Sequence, residues 1–383
     1  MNYSSEREST LDVLRGVAIL GIALLNVFSF AIPSLYSFDL HWHDGVISEL
    51  DKQLFYLQQL LFQGRFRTIL TLLFGVGLWL VYQKHLRTIA EQGVSTLHKR
   101  YVGLALFGLL HLGLFWSGDI TFWYALSAFM LMQTGWLSLT AQQQWRLGLL
   151  LVLITILLNY GFYWLQLSAE PSVDGKLTSE EIVYYQQLQQ GSWLELWQLL
   201  LGENLIALVS FVVGLAWLNL GTMLIGIALY RQGFFNHGMT KRQALCLLTV
   251  SLALDGTDLW LSADITAMTG LVSNFWYDFT ALAMALVLCS WLIQWRMPAK
   301  LQQLFQQCGQ MALSLYFLQT LLFLLWFRVL QPSWYANAER WQLGLLALAV
   351  MAISMVFCKG WLHFFKVGPL EWCWRAFYQA RSE

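Results

Sequence analysis

Polar side chains that could do chemistry lie inside apolar stretches of this chain. The first stretch, residues 11–30, is long enough to cross a bilayer and carries Asp12, Arg15 and Asn26. At about 100° per residue, Arg15 and Asn26 lie within about 20° of each other on a helix, and Asp12 within about 40° of Asn26. Such groups in a membrane span usually face a protein interior or a wet cavity. We therefore predict one polar stripe; the alternative is an Asp–Arg pair at the headgroup level and a separately buried Asn.

A second stretch repeats this spacing. Arg100 and His111 are eleven residues apart, and Asp119 and Tyr124 follow the next turn. A His beside a carboxylate is the minimum needed to activate a hydroxyl or amine as a nucleophile, and an Asn can stabilise an oxyanion. We predict His111, Asp119 and Asn26 as the catalytic group. The alternatives are a buried His111 bonded to a neighbouring helix and an Asp119 that caps the next helix.

Two further groups complete the candidate site. Arginines at the other end of these spans are suited to the phosphates of a nucleotide-type donor. The predicted donor-binding group is Asp12, Arg15 and Arg100, and the remaining polar cluster is Arg65, Arg67 and Tyr124.

Other polar residues give weaker indications. His41 and His43 lie in a polar stretch, but nothing fixes a third metal ligand, and we predict no metal site. Asp255 could belong to a proton or substrate path, although a solvated helix end is the favoured interpretation. The five cysteines form no close pair of the CxxC type, so neither a zinc site nor a disulfide framework is indicated.

The composition predicts an all-α polytopic membrane protein. Of 383 residues, 58% are hydrophobic and 11% are charged, and the mean hydropathy is +0.55. About ten spans can be drawn, forming a single transmembrane domain over residues 1–383 with an outer polar loop at 166–203. Zero net charge argues against a nucleic-acid partner, and the lack of a P-loop motif argues against ATP-driven pumping by this chain.

The distribution of basic residues predicts the orientation. Lysines and arginines concentrate in the connections before spans three, five, seven and nine, whereas the loop at 166–203 is acidic. The positive-inside rule then places both termini in the cytoplasm.

Ordered motifs along the whole chain resemble the YeiB-like family of membrane proteins of unknown function. They are LDVLRGVAILGIALLN, TLLFGVG, the run from His111 through Asp119 to Tyr124, GTMLIG, GQMALSLYFLQT and GPLEWCWR. The resemblance implies a multi-pass protein of the bacterial inner membrane.

The first span also resembles, more distantly, those of heparan-α-glucosaminide N-acetyltransferase and the acyltransferase-3 membrane enzymes. This resemblance implies acyl transfer, often from a cytoplasmic acyl-CoA to a sugar on the other face of the membrane. The acyltransferase-3 pattern has a His eleven residues after the Arg, where this chain has Asn26.

Three classes of function follow. The leading hypothesis is a membrane-embedded acyltransferase with an acyl-CoA-type donor as substrate, no covalently bound cofactor, and a glycan or lipid-linked acceptor. The second is a transporter or exporter that uses the polar stripe as a pathway, and the third is a non-catalytic membrane scaffold. The sequence leaves the oligomeric state open.

Overall fold

The computed structural model of the protein describes residues 3–33, 36–37, 39–43, 47–87, 90–169, 176–262 and 276–379. These residues are nearly all helical and contain no β-strand beyond an isolated bridge between His43 and Leu177. The all-α fold class is confirmed. The predicted polar loop at 166–203 lies partly outside the described residues.

The helices of the first half are α1 (Tyr3–Gly21), α2 (Ala23–Ala31), α3 (Glu49–Leu61), α4 (Arg65–Arg87), α5 (Ala90–Leu114), α6 (Thr121–Gln133), α7 (Ala141–Ala169) and α8 (Ser179–Gln190). Those of the second half are α9 (Trp193–Ser210), α10 (Ala216–Arg231), α11 (Phe234–His237), α12 (Lys241–Ser262), α13 (Tyr277–Gln294), α14 (Ala299–Gln310), α15 (Ala312–Leu325), α16 (Arg340–Phe364) and α17 (Pro369–Gln379). Five-residue π-helical segments follow α9, at Phe211–Leu215, and α15, at Trp326–Leu330.

Within the described residues, seven helical segments are long and apolar enough to cross a membrane. They are Ser9–Ala31, Glu49–Lys84, Ala141–Gly161, Trp193–Arg231, Tyr277–Gln294, Ala312–Leu330 and Arg340–Phe364. The protein is therefore a membrane protein, while the count of ten spans and the cytoplasmic termini stay predictions.

Glycines allow the closest helix contacts in the bundle. A Cβ atom on Gly16 of α1 would overlap the carbonyl oxygen of Phe305 in α14, and one on Gly309 of α14 would overlap the carbonyl oxygen of Asp12. Gly75 of α4 meets the backbone of α10 in the same way. Small residues let membrane helices approach to backbone contact, and here they hold α1 and α4 at the centre of the bundle.

A polar corner closes the bundle where the chain leaves α2. Asp39 accepts a hydrogen bond from the backbone N–H of His41 at 2.8 Å, and its carbonyl oxygen accepts one from Arg340 at 3.1 Å. Arg340 also lies over the ring of Phe55, with 4.8 Å between the guanidinium carbon and the ring centre. Burial raises the pKa of the Asp39 carboxyl to about 6, with the His41 hydrogen bond and Arg340 opposing the shift.

Candidate functional site

Two cavities, each lined in part by polar side chains, lie at opposite ends of the same helices. The carboxylate cavity, of about 400 Å³, is named for Asp119 and Glu203, and the arginine cavity, of about 330 Å³, for Arg15 and Arg100. Other polar residues of the carboxylate cavity are Asn26, Ser29, Gln63, Arg67, Ser117, Ser210, Asn219 and Tyr277. Other polar residues of the arginine cavity are Asp12, Tyr101, Thr121, Gln310, Tyr316, Glu371, Arg375 and Tyr378.

The stripe on the first span connects the cavities. Asp12, Arg15 and Ile19 line the arginine cavity, and Ile22 and Asn26 line the carboxylate cavity. Their spacing of three or four residues puts them on one helix face. The eleven residues from Arg15 to Asn26 correspond to about 16 Å along a helix. The structure thus brings the three polar residues of the predicted stripe onto one continuous surface.

Tyr124 and Ile120 line both cavities and so form the barrier between them. The Tyr124 hydroxyl lies 2.6 Å from the Thr71 hydroxyl and donates to the carbonyl oxygen of Arg67 at 3.0 Å. Both partners belong to α4, so α4 holds the Tyr124 side chain in this dividing position.

His111 and Asp119 form a buried pair, and Asp119 is the member that lines a cavity. His111 Nδ1 lies 2.9 Å from Asp119 Oδ1, and His111 Nε2 lies 2.9 Å from the Thr320 hydroxyl. The other Asp119 oxygen accepts the backbone N–H of Phe122 at 2.6 Å, so Asp119 also caps α6. Both side chains are buried: the His111 ring is 1% exposed and the Asp119 carboxylate 0%. His111 has both ring nitrogens engaged and lines neither cavity, whereas Asp119 forms part of the wall of the carboxylate cavity.

Arg67 lines the carboxylate cavity and faces a second acidic group. Its Nη2 atom lies 3.8 Å from Asp278 of α13, which also accepts a weak hydrogen bond from Asn159 at 3.4 Å. Arg67 is therefore partly neutralised from behind the cavity wall.

Arg65 does not join Arg67 and Tyr124 in the expected cluster. It is fully buried, forms an ion pair with Asp255 of α12, and donates to the carbonyl oxygen of Gln63. Two residues correspond to about 200° on a helix, so Arg65 and Arg67 face opposite ways. Asp255 is 4% exposed and also accepts from Thr280 at 2.6 Å, so the expectation of a solvated helix end is wrong.

The predicted donor residues line the arginine cavity together. Arg15 is paired with Asp12 at 2.7 Å. Arg100 stacks on Trp374, with 4.4 Å between its guanidinium carbon and the ring centre, and donates to the Tyr378 hydroxyl at 3.4 Å. The Nε atom of Arg100 is buried and has no hydrogen-bond partner among the described residues.

Helix α17 supplies cavity residues that sequence reasoning missed. Glu371 accepts from the backbone N–H groups of Leu313 and Ser314, at 2.8 and 3.1 Å, and from the Ser314 hydroxyl, so it caps α15. Burial raises the pKa of the Glu371 carboxyl, and these hydrogen bonds oppose the shift. Arg375, one turn further on, is exposed at the cavity.

Signals for two missed residues were present in the motifs. Thr320 ends GQMALSLYFLQT, and Glu371 lies in GPLEWCWR. Each of these two motifs therefore carries a polar side chain of the site or its surroundings. Glu203 lies beside Asn204 in the largely apolar helix α9, outside all of these motifs.

Within the described ranges, no group of three or more His, Cys, Asp and Glu side chains could hold a metal ion. His43 contacts Trp42 edge-on, at 4.3 Å between ring centres, and bridges to Leu177. His41 and His43 line neither cavity.

Comparison with known proteins bears on the motifs that meet at this site. Residues 229–381 match the model of a "Protein of unknown function (DUF418)". The chain is 28% identical to the "Uncharacterized protein YeiB" of Escherichia coli strain K12, over 97% of this chain and 96% of the relative. The resemblance to the YeiB-like family is confirmed.

Two proteins from Bacillus species are also similar to the chain over most of their length. The chain is 24% identical to the "Uncharacterized protein YxaH" of Bacillus subtilis strain 168, over 97% of this chain and 94% of the relative. It is 26% identical to an "Uncharacterized 39.9 kDa protein in amylase 3'region" of Bacillus acidopullulyticus, over 97% and 93%. No solved structure matches the chain significantly.

Proposed function

We propose that this YeiB-like chain is a membrane-embedded acyltransferase of the bacterial inner membrane. An acyl-CoA-type donor would enter the arginine cavity from the cytoplasm, and an extracytoplasmic glycan or lipid-linked acceptor would occupy the carboxylate cavity. The observation that carries the proposal is the pair of cavities, which share Tyr124 and Ile120 as a common wall.

The charges of the arginine cavity suit a phosphorylated donor. Its acidic residues are engaged within the protein, Asp12 by Arg15 and Glu371 by the start of α15. Arg100 and Arg375 have no carboxylate partner among the described residues. Guanidinium groups bind phosphate through paired, charge-assisted hydrogen bonds. Residues 15 to 26 span about 16 Å of helix, so an extended thioester arm of that length would pass the Tyr124 barrier and reach Asn26 in the carboxylate cavity.

In the proposed reaction, the Asp119 carboxylate accepts the acceptor's proton. As the acceptor oxygen or nitrogen attacks the thioester carbonyl, a C–O or C–N bond forms and the C–S bond breaks. The proton passes from the acceptor to the Asp119 carboxylate and then to the departing thiolate, which leaves as the free thiol. His111 acts as a positioning residue because its contacts fix Asp119 from behind.

A transporter is the second candidate, favoured by the thinness of the barrier. Tyr124 separates the two cavities and is held by α4 alone through its hydroxyl. Movement of this side chain would join the cavities into one path, and a transporter would need no acyl-CoA.

Binding of CoA to the purified chain tests the two candidates. By calorimetry, we expect CoA to bind the wild type, and Arg100→Ala to weaken binding about ten- to a hundredfold, the value of one or two charged hydrogen bonds. Arg242→Ala, an exposed arginine on α12 that lines neither cavity, is the control. No CoA binding, together with solute counterflow in proteoliposomes, would favour the transporter.

A further inference from the structure

The rim of the carboxylate cavity lies on the outer surface of α9. Ile206 and Ser210, one turn apart, line the cavity and are exposed, and their neighbours Leu205 and Val209 are exposed without lining it. Half of the Ile206 surface is exposed. A residue that faces a cavity and the outer surface at once marks an opening between them, so this cavity opens sideways from the bundle.

The opening lies at the level of lipid head groups. Helix α9, the following π-helical segment and α10 form one span, Trp193–Arg231, whose last residue is an exposed arginine. Ser210 and Ile206 precede Arg231 by about 32 and about 38 Å at 1.5 Å per residue. The hydrocarbon core is about 30 Å thick, so with Arg231 among the head groups of one leaflet, the rim lies among those of the other.

The surface beside the rim is suited to acyl chains. Leu205 and Val209 flank Ile206 and Ser210 on α9 and are 66% and 60% exposed. At this depth, exposed aliphatic side chains contact the boundary between the lipid head groups and the upper part of the tails. A lipid whose head group entered past Ile206 could keep its tails against this face of α9.

The cavity lining disfavours an anionic head group. Its acidic and basic side chains are two carboxyl groups, Asp119 and Glu203, and one arginine, Arg67, which Asp278 approaches from behind. Gln63 and Trp116, both more than nine-tenths buried in the wall, each leave one polar atom without a partner among the described residues. A ligand offering both donor and acceptor groups would complete hydrogen bonding at such a wall.

We propose that the acceptor is a membrane lipid that enters the carboxylate cavity sideways, between Ile206 and Ser210. Its head group carries a hydroxyl or amine and no net negative charge, and its tails stay on α9. This inference rests on the proposed function for the acyl transfer itself, but lipid occupancy of the cavity can be measured without any acyl donor.

Native mass spectrometry of the delipidated full chain tests this occupancy. The chain is titrated with phosphatidylethanolamine, which is zwitterionic and carries an amine, or with phosphatidylglycerol, which is anionic, both with the same acyl chains. We expect one phosphatidylethanolamine to bind about tenfold more tightly than phosphatidylglycerol, equivalent to about 1.4 kcal/mol. Equal affinity for the two lipids would overturn the charge argument and the proposal.

Variants on α9 locate the binding. Ile206→Trp narrows the rim and should weaken phosphatidylethanolamine binding about tenfold. The neighbouring Leu205→Trp, on the lipid face and outside the cavity lining, should leave it within about twofold. Ser210→Phe obstructs the same rim and should have the same effect, so it replaces Ile206→Trp if that variant does not fold. Equal affinities for the rim variants and Leu205→Trp would contradict a sideways opening.

Calorimetry with CoA separates the two proposals. Ile206→Trp should bind CoA as the wild type does, because the donor occupies the other cavity. If the lipid behaves as expected and CoA does not bind, the lipid site stands and the acyltransferase proposal fails. If CoA binds but phosphatidylethanolamine binds the wild type and the rim variants equally well, only the proposal of a lipid acceptor is overturned.

Discussion

The Nδ1 atom of His111 lies 2.9 Å from Asp119 Oδ1, and of these two side chains only Asp119 lines a cavity. Thr320 occupies the other nitrogen of the ring. Carboxylate, imidazole and hydroxyl are linked in the same order as in a Ser-His-Asp catalytic triad. Here, however, the carboxylate of Asp119 lies nearest the cavity and the hydroxyl of Thr320 lies farthest from it. In the proposed reaction, His111 and Thr320 would therefore act only by positioning Asp119.

Substitution of Asp119 should separate chemistry from folding. Asp119→Asn keeps an acceptor for the Phe122 N–H, since Asn is also a good helix cap. We expect acyl transfer to fall about 10²–10⁴-fold, the usual contribution of a general base, with CoA affinity unchanged. Single-turnover transfer from labelled acetyl-CoA and CoA calorimetry measure the two effects.

Thr320→Val is the companion variant, because Thr320 touches only the far side of the His111 ring. Thr320→Val should reduce acyl transfer less than Asp119→Asn does. Thr320→Ser, which keeps the hydroxyl, should have higher transfer activity than Thr320→Val. Loss of activity in Thr320→Val as large as in Asp119→Asn, with the fold intact, would place the hydroxyl itself in the reaction.

The sequence predicted the polar stripe well because helix periodicity alone determines it. Asp12, Arg15 and Asn26 needed only about 100° per residue to share a face, and they line one surface in the structure. Arg65 and Arg67 show the limit of this reasoning. The choice of which one faces the cavity depends on Asp255 and Asp278, which lie about 200 residues later in the chain. No local pattern contains that pairing.

The same limit explains why the contribution of α17 was missed. Its Glu371 side chain matters because it reaches the first N–H groups of α15, a contact between two segments separated by a complete span. The motif GPLEWCWR marks the segment, but only tertiary packing brings it beside Arg100. The sequence therefore predicted the cavity residues of the first three spans, but not those that α17 contributes to the arginine cavity.

Gly309→Ala should destabilise the bundle. Its added methyl group would overlap the Asp12 carbonyl oxygen, and because that atom belongs to the α1 backbone, the helices must move apart. We expect a cost of about 1–3 kcal/mol, typical of overpacking, seen as a lower Tm in detergent and a smaller folded fraction on size-exclusion chromatography.

Gly344→Ala is the matched control, since a Cβ at Gly344 of α16 meets nothing within 4 Å. Alanine is favoured over glycine inside a helix by about 1 kcal/mol, so this variant should be neutral or more stable. Equal melting temperatures for the two variants would show that the α1 and α14 backbones are far enough apart at Gly309 to accommodate a methyl group.

Asp39→Asn should change how stability depends on pH. Burial raises the pKa of Asp39 from 3.8 to about 6, so the folded protein holds this proton more firmly than the unfolded chain does. The contribution of this group to the free energy of unfolding is therefore fully present below about pH 4. It is lost as the pH rises to about 6, and the loss is on the order of 2–3 kcal/mol.

Asn carries no charge at any of these pH values and can still accept the His41 N–H. We expect Asp39→Asn to gain several degrees in Tm relative to the wild type between about pH 4 and about pH 7. The exposed Glu180→Gln serves as the control and should track the wild type. A difference in Tm between wild type and Asp39→Asn that stays constant over this range would show that Asp39 is not titrating there.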